Sequence, residues 1–348
     1  MEDILMTLFL NILLLLVGFI LLIKGADFFV EGSSAAAKLM KIPSVIVGVT
    51  IVSMGTSLPE LAVSTSAALN GSNEIAVSNV IGSNLFNSLV VLGVAAIIAA
   101  VPVKSSLLKC EFPLNLLITA MLGLFGADLL MKGKTQAEGL DFMKNANEEM
   151  PAGTLGRGEG IALLVIFILY LTYTVFQALK SRKETLAKEA AGEIEKEDKP
   201  MPVWRSIIYI IGGIIAIKFG GDFVVDSARV IAKFFGMSET LIGLTIVACG
   251  TSLPELVTSA VASKKGENDI AVGNVIGSNI FNILFILGVS ATITPISVIS
   301  GSIVDTIVLF FVSALMFLFC GTRKEVKRTE GITMVIIYII YLTYIIMR

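Results

Sequence analysis

The hexapeptide GTSLPE occurs twice in this chain, at residues 55–60 and 250–255, each time inside a strongly apolar segment. The duplication is wider than the hexapeptide. At a constant offset of 195 and without a gap, residues 48–94 match residues 243–289 at 30 of 47 positions. A fold for this chain must therefore accommodate two copies of one unit, each with a carboxylate in the middle of an apolar run. Charged residues are rare inside membrane segments and mark ion or proton pathways when they occur there.

With 55% hydrophobic and 16% charged residues and a mean hydropathy of +0.89, the 348-residue chain is too apolar for an ordinary soluble domain. A helix needs roughly 20 apolar residues to cross a bilayer. Ten segments meet that need, at about 4–23, 42–69, 74–102, 113–131, 160–179, 203–225, 239–263, 268–295, 303–321 and 330–347, the first continuing as helix towards Met40. Glu2 and Asp3 stand where a signal peptide would be basic, so the first span is read as retained. The absence of histidine excludes histidine-based metal sites, triads and proton relays, and Cys110, Cys249 and Cys320 read as scattered apolar residues. No large basic surface suggests nucleic acid.

The loops after odd-numbered spans hold 17 Lys and Arg against seven on the opposite side, which predicts both termini outside. Five spans separate each residue from its repeat mate. An odd number inverts the second copy, as in many secondary transporters. The expected architecture is an all-α membrane protein of ten transmembrane helices in two inverted-topology five-helix repeats. Residues 1–180 form the first repeat, 181–200 a charged cytoplasmic linker and 201–348 the second. The sequon at residues 70–72 reads as a turn.

Pro59 lacks an N–H and its ring crowds the carbonyl of Gly55, so the second span is expected to break there; Pro254 and Gly250 repeat the arrangement in the seventh. Freed carbonyls at membrane depth need partners. The hydroxyls of Thr56, Ser57, Thr251 and Ser252 and the carboxylates of Glu60 and Glu255 surround the two breaks. Hard oxygen donors of this kind suit Ca²⁺ or Na⁺. No Lys or Arg occurs in residues 42–94 or 239–263 to neutralise the glutamates, which leaves a cation or a proton as their partner. A second duplicated motif, NVIGSNxFN at 79–87 and 274–282, places Ser83 with Asn87, and Ser278 with Asn282, on one helix face. Gly82 and Gly277 are expected to let a neighbouring backbone approach. Asn79, Asn84, Asn274 and Asn279 read as helix-packing residues, Lys24, Asp27 and Asp222 as interfacial, and Glu74, Glu239, Glu267 and Asp269 as solvated span ends.

These paired motifs resemble the sodium/calcium exchanger branch of the calcium/cation antiporter superfamily. The resemblance implies a core with three Na⁺ sites and one Ca²⁺ site, across which the first and sixth helices slide. It makes Glu60 and Glu255 shared Ca²⁺ and Na⁺ carboxylates, and Thr56, Ser57, Thr251, Ser252, Ser83 and Ser278 Na⁺ ligands. Thr56 and Thr251 also offer carbonyls to Ca²⁺, while Ser53 and Ala248 offer carbonyls to Na⁺. Asn87 matches the central polar position. Some members carry Asp where this chain has Asn282, so potassium dependence is not implied here. The short linker lacks the calcium-sensing domains of animal exchangers and suggests a prokaryotic member.

The function expected is Na⁺/Ca²⁺ antiport by alternating access in the plasma or inner membrane, exporting Ca²⁺ electrogenically, by a monomer without a cofactor and without enzymatic activity. The alternative is exchange of Ca²⁺ or another divalent cation for protons at the same glutamates. A passive cation channel fits two inverted halves with broken helices less well, and an intramembrane hydrolase has no histidine for its serine.

Overall fold

In the computed structural model, residues 2–70, 74–127, 151–193, 201–237 and 248–347 are described. Among the described residues eight helices are long and apolar enough to cross a membrane, nine when the bent second span is counted as one. They are α1 (Glu2–Met40), the bent pair α2 (Ser44–Thr56) and α3 (Leu58–Leu69), α4 (Ile75–Ile98), α5 (Ser105–Gly126), α6 (Arg157–Ala190), α7 (Val203–Phe234), α9 (Asn268–Ile293), α10 (Ser300–Arg323) and α11 (Arg328–Met347). Between α7 and α9 lie a short turn, Ala248–Gly250, and α8, Leu253–Lys264. The N-terminal part of the seventh expected span, with Glu239, lies outside the described residues, as do Gly71 and Ser72 of the sequon and most of the polar insertion before α6.

The first span continues as helix to Met40 as expected, and the fifth runs on to Ala190, through half of the segment read as linker. Among the described residues four short strands depart from the all-helical expectation. Val101–Pro102 after α4 pairs antiparallel with Glu325–Val326 before α11, and Pro151–Leu155 before α6 pairs with Ile296–Ile299 after α9. Val101 and Ile296 are repeat mates at the 195-residue offset. Each ribbon thus joins a mate position of one repeat to a segment of the other.

The core is built around α4 and α9. The apolar window of α9 is almost wholly buried and that of α4 largely so, whereas α1 and α11 expose most of theirs. Gly48 in α2 faces Gly273 in α9, where an added Cβ would stand 3.1 Å from the Gly273 Cα. Two separate apolar clusters result. The larger joins α4, α5, α6, α9, α10 and α11. The smaller holds α1 and α7 together, against a strip of α2, α8 and α9.

The α1–α7 pair is closed by small residues seven apart. Gly18 lies against Gly220, Gly25 against Gly213, and Gly32 against Ser206, where a Cβ on each glycine would come within 2.8 to 3.1 Å of the facing helix. Ser206 Oγ donates to the Gly32 carbonyl at 2.8 Å. Gly18 and Gly25 are the repeat mates of Gly213 and Gly220, so the antiparallel seam is formed by equivalent residues in exchanged order. Close backbone approach of this kind is a main source of helix association in lipid.

Charged residues pair at the edges of the bundle. Lys265 reaches Asp27 at 2.6 Å and Glu31 at 3.6 Å, Lys104 pairs with Asp269, Lys41 with Glu189, and Lys218 with Asp222 at 2.6 Å. Glu267 accepts from Ser34 Oγ. Glu267 and Asp269 are therefore bonded to neighbouring elements, a correction to their reading as solvated span ends: the turn between α8 and α9 folds back onto α1 and the loop after α4. Cys110 and Cys249 are half-buried and Cys320 is buried, all as free thiols.

Gly220→Val, which would push a Cβ against the Leu22 amide 2.7 Å away, is expected to cost ~1–3 kcal/mol by overpacking. Gly212→Val, with nothing within 4 Å among the described residues, should cost less. Thermal unfolding in detergent compares the two.

Candidate cation site

Both expected helix breaks are present and share one geometry. Ser57, at φ −84° and ψ 12°, separates α2 from α3, and the two segments meet at a 49° bend. Ser252, at φ −93° and ψ 7°, stands at the same point before α8. Pro59 and Pro254 lie in the first turn of the helix that follows, where a missing N–H costs nothing. The first turns of α3 and α8 also carry Glu60 and Glu255, placing each carboxylate at the positive end of a helix dipole. Gly55 packs against Phe29 of α1 and Ile214 of α7, and Gly250 against Val225 of α7, so each break rests on the α1–α7 pair.

The two breaks are cross-linked through their carboxylates. Ser57 Oγ donates to Glu255 Oε1 at 2.7 Å, and Ser252 Oγ donates to Glu60 Oε1 at 3.1 Å. These are the same bond made twice, each repeat supplying a hydroxyl to the glutamate of the other. All four side chains are fully buried. Among the described residues the second oxygen of each carboxylate, Oε2, has no hydrogen-bond partner. Among the described residues the ion pairs all lie at the edges of the bundle, and none involves Glu60 or Glu255. An unpaired acceptor buried in a medium of low dielectric is costly, and groups of this kind persist where something else supplies the charge.

The remaining candidate residues gather around this pair. Thr56 Oγ1 lies 3.0 Å from Asn274 Oδ1, and Ser278 Oγ donates to the Ser53 carbonyl at 3.4 Å. Gly277 is what lets α9 come this close to α2, since a Cβ there would stand 2.6 Å from Ser53 Oγ. Its mate Gly82 has nothing within 4 Å among the described residues. Among the described residues Thr251 Oγ1 and the buried Ser83 Oγ have no partner. Ala248 begins the short turn leading into the second break.

Asn87 and Asn282 each open a five-residue π-helical segment, Asn87–Val91 in α4 and Asn282–Ile286 in α9. A π turn inserts a residue, rotates the side chains that follow it and often marks a functional position. The two asparagines differ in their bonding. Asn282 Nδ2 donates to Asn84 Oδ1 at 3.0 Å, while both polar atoms of the Asn87 side chain are buried without a partner. Asn84 and Asn279, read from sequence as packing residues, do join α4 to α9: Asn84 Nδ2 donates to the Asn279 carbonyl, and Asn279 Nδ2 to Ser88 Oγ.

Asn79 and Asn274 join α4 and α9 to the helices that follow the breaks. Asn79 Nδ2 lies 3.4 Å from the Glu60 carbonyl and 3.0 Å from Ser64 Oγ. Asn274 Nδ2 lies 3.4 Å from the Glu255 carbonyl and 3.0 Å from Ser259 Oγ. The available signal was their place at the head of the duplicated NVIGSN motif, 19 residues after each glutamate. The π turns carry no comparable mark in the sequence.

Chemically, the arrangement is a buried cluster of oxygen donors with two carboxylates and, among the described residues, no basic partner. It can hold cations up to a combined charge of two without leaving net charge in the membrane.

The family model described as sodium/calcium exchanger protein matches residues 10–176 and 205–347. The chain is 38% identical over 316 residues to the inner membrane protein YrbG of Escherichia coli, covering 89% of each chain. It is 31% identical over 341 residues to the sodium/calcium exchanger MaX1 of Methanosarcina acetivorans, covering 95% of this chain and 97% of that one. Among solved structures, the sodium-calcium exchanger NCX_Mj superposes with a TM-score of 0.77 at 31% identity, covering 97% of this chain and 99% of the other.

Ser57→Ala and Ser252→Ala should each cost ~1.5–3 kcal/mol, the range for a hydrogen bond to a charged group. Ser83→Ala, which removes a hydroxyl without a partner, should cost less than either. Unfolding in detergent without added divalent cation provides the comparison.

Proposed function

We propose, since this chain belongs to the sodium/calcium exchanger protein family, that it exchanges Na⁺ for Ca²⁺ across the plasma or inner membrane of a prokaryote. The family membership and the multi-pass helical fold place it among cation antiporters. The observation that carries the choice of a shared cation site is the pair of buried, unpartnered Oε2 atoms on Glu60 and Glu255.

In this reading one Ca²⁺ sits between the two carboxylates and is completed by hydroxyls and carbonyls freed at the breaks. Thr56 and Thr251 contribute carbonyls to Ca²⁺. Na⁺ ions use the same carboxylates with Ser57, Ser252, Ser83 and Ser278, together with the carbonyls of Ser53 and Ala248. Asn87 and Asn282 are neutral ligands at the centre. A hydroxyl that now donates to a carboxylate can turn its lone pairs to a cation instead, so Ser57 and Ser252 are placed to change role when ions enter. Two glutamates balance one Ca²⁺, whereas three Na⁺ would leave one positive charge in excess, so three-for-one exchange is electrogenic. The α1–α7 pair, closed on itself by its glycine seam and resting on both breaks, is the body that moves against the core to alternate access.

Proteoliposomes loaded with Ca²⁺ and exposed to a sodium gradient test the proposal. Sodium-dependent Ca²⁺ efflux is expected, and its absence with correctly folded protein would overturn the proposal. Efflux driven by a pH gradient in place of sodium would instead assign proton coupling to the same carboxylates. Glu60→Gln and Glu255→Gln should each lower the flux by at least about tenfold, the effect of removing one charged ligand worth ~1.5–3 kcal/mol. Unchanged flux in both variants would remove the glutamates from the site.

A further inference from the structure

The hydrogen bonds around the two breaks obey the repeat symmetry except where α9 meets the first break: Ser278 Oγ donates to the Ser53 carbonyl while its mate Ser83 has no partner among the described residues, and the contact of Thr56 differs in the same sense. The bonds from Ser57 to Glu255 and from Ser252 to Glu60 are mates, as are the contacts of Asn79 and Asn274 with the glutamate carbonyls and with Ser64 and Ser259. The contact between Thr56 Oγ1 and Asn274 Oδ1, at 3.0 Å, has no counterpart. Its mate would join Thr251 to Asn79, and the Thr251 hydroxyl is without a partner among the described residues.

The amide orientation that this contact requires is fixed by chemistry. The Glu255 carbonyl can only accept, so the Asn274 atom facing it must be Nδ2, and Oδ1 then faces Thr56. One side chain therefore touches the carboxylate turn of its own repeat and the hydroxyl of the other repeat's break. Asn79 holds its own turn alone.

In an inverted-repeat transporter, the state open to the opposite side is approximated by exchanging the conformations of the two repeats. Applied here, the exchange breaks the Thr56–Asn274 bond and makes the Thr251–Asn79 bond. We propose that Asn79 and Asn274 are positioning residues that hold the Glu60 and Glu255 turns in place, and that Thr56–Asn274 and Thr251–Asn79 form an alternating pair, one closed in each access state. The positioning part rests on the reading of Glu60 and Glu255 as cation ligands; the alternation does not depend on which ion is carried.

The alternation is tested without any transported ion. Spin labels are placed at Leu69, at the end of α3, and at Phe235, just beyond α7, both exposed. Cys110, Cys249 and Cys320 are replaced by alanine in the full chain. Removing a bond that closes in only one of two states shifts the population towards the other. Thr56→Val and Thr251→Val should therefore displace the inter-label distance distribution in opposite directions. Thr56→Ser and Thr251→Ser, which keep the hydroxyl, should match the unsubstituted protein. Shifts in the same direction, or no shift in either valine variant, would overturn the alternation.

The positioning role is read in proteoliposomes from the split between half-saturation and maximal rate. Asn79→Ala and Asn274→Ala should raise the half-saturating Ca²⁺ concentration about tenfold, the effect of losing a bond that orients the ligand, with a smaller change in maximal rate. Where an alanine variant does not fold, Asn→Asp replaces it, since a carboxylate cannot donate to the glutamate carbonyl. An unchanged half-saturation would overturn the role. Absence of sodium-driven Ca²⁺ flux in the unsubstituted protein would instead refute the exchange reading, and the distance measurement would still decide the alternation.

Discussion

Two carboxylates buried in the middle of a membrane bundle, with no basic side chain to meet them, are the constraint on which the rest of this structure depends. Glu60 and Glu255 are fully buried, and each has one oxygen without a partner. An ionised carboxylate at such depth costs on the order of 3 kcal/mol or more. The surrounding features reduce that cost without cancelling the charge. Proline breaks the helix just before each glutamate, a new helix N-terminus directs its dipole at the carboxylate, and a serine from the opposite repeat donates one hydrogen bond. What remains unbalanced is the charge itself, and a mobile cation is the partner that could balance it and leave again.

Antiport demands that such a site never be open to both sides at once, and the packing of the bundle suits that demand. The apolar contacts divide into a large cluster around α4 and α9 and a smaller one that joins α1 to α7. Glycines seven residues apart bring the α1 and α7 backbones together, which makes the pair one body. Gly55 and Gly250, one in each break, touch that body directly. A shift of the pair would therefore be felt at both carboxylates together.

Much of this was legible in the sequence because the duplication fixed equivalences that no single motif could. GTSLPE with its proline located both breaks, and the lack of Lys and Arg around it showed that the glutamates would be unpaired. The apolar runs located each described span, but the fourth begins earlier, at Ser105, and the fifth and sixth run on to Ala190 and Phe234, where polar residues extend the helices beyond the apolar stretch. The parts that escaped depend on rotation about a helix axis or on partners distant in sequence. A π turn at Asn87 or Asn282 is a one-residue change in winding, which hydropathy does not register. The role of Asn274 depends on Glu255 and Thr56 lying on either side of it, a relation across 218 residues. Glu267 and Asp269 stood at a span end, where solvation was the simplest reading, yet the chain folds so that Ser34 and Lys104 reach them. The short strands between helices carry too few residues for an alternating pattern to show.

The central claim is that one carboxylate from each repeat joins in a single site shared by the two ions. Equilibrium binding of radioactive Ca²⁺ to the purified protein, at rising Na⁺ concentrations, tests it most directly. One Ca²⁺ per chain is expected, displaced completely and competitively by Na⁺, and lost when either Glu60 or Glu255 is replaced by glutamine. Two independent Ca²⁺ sites per chain, or binding that Na⁺ does not displace, would contradict it.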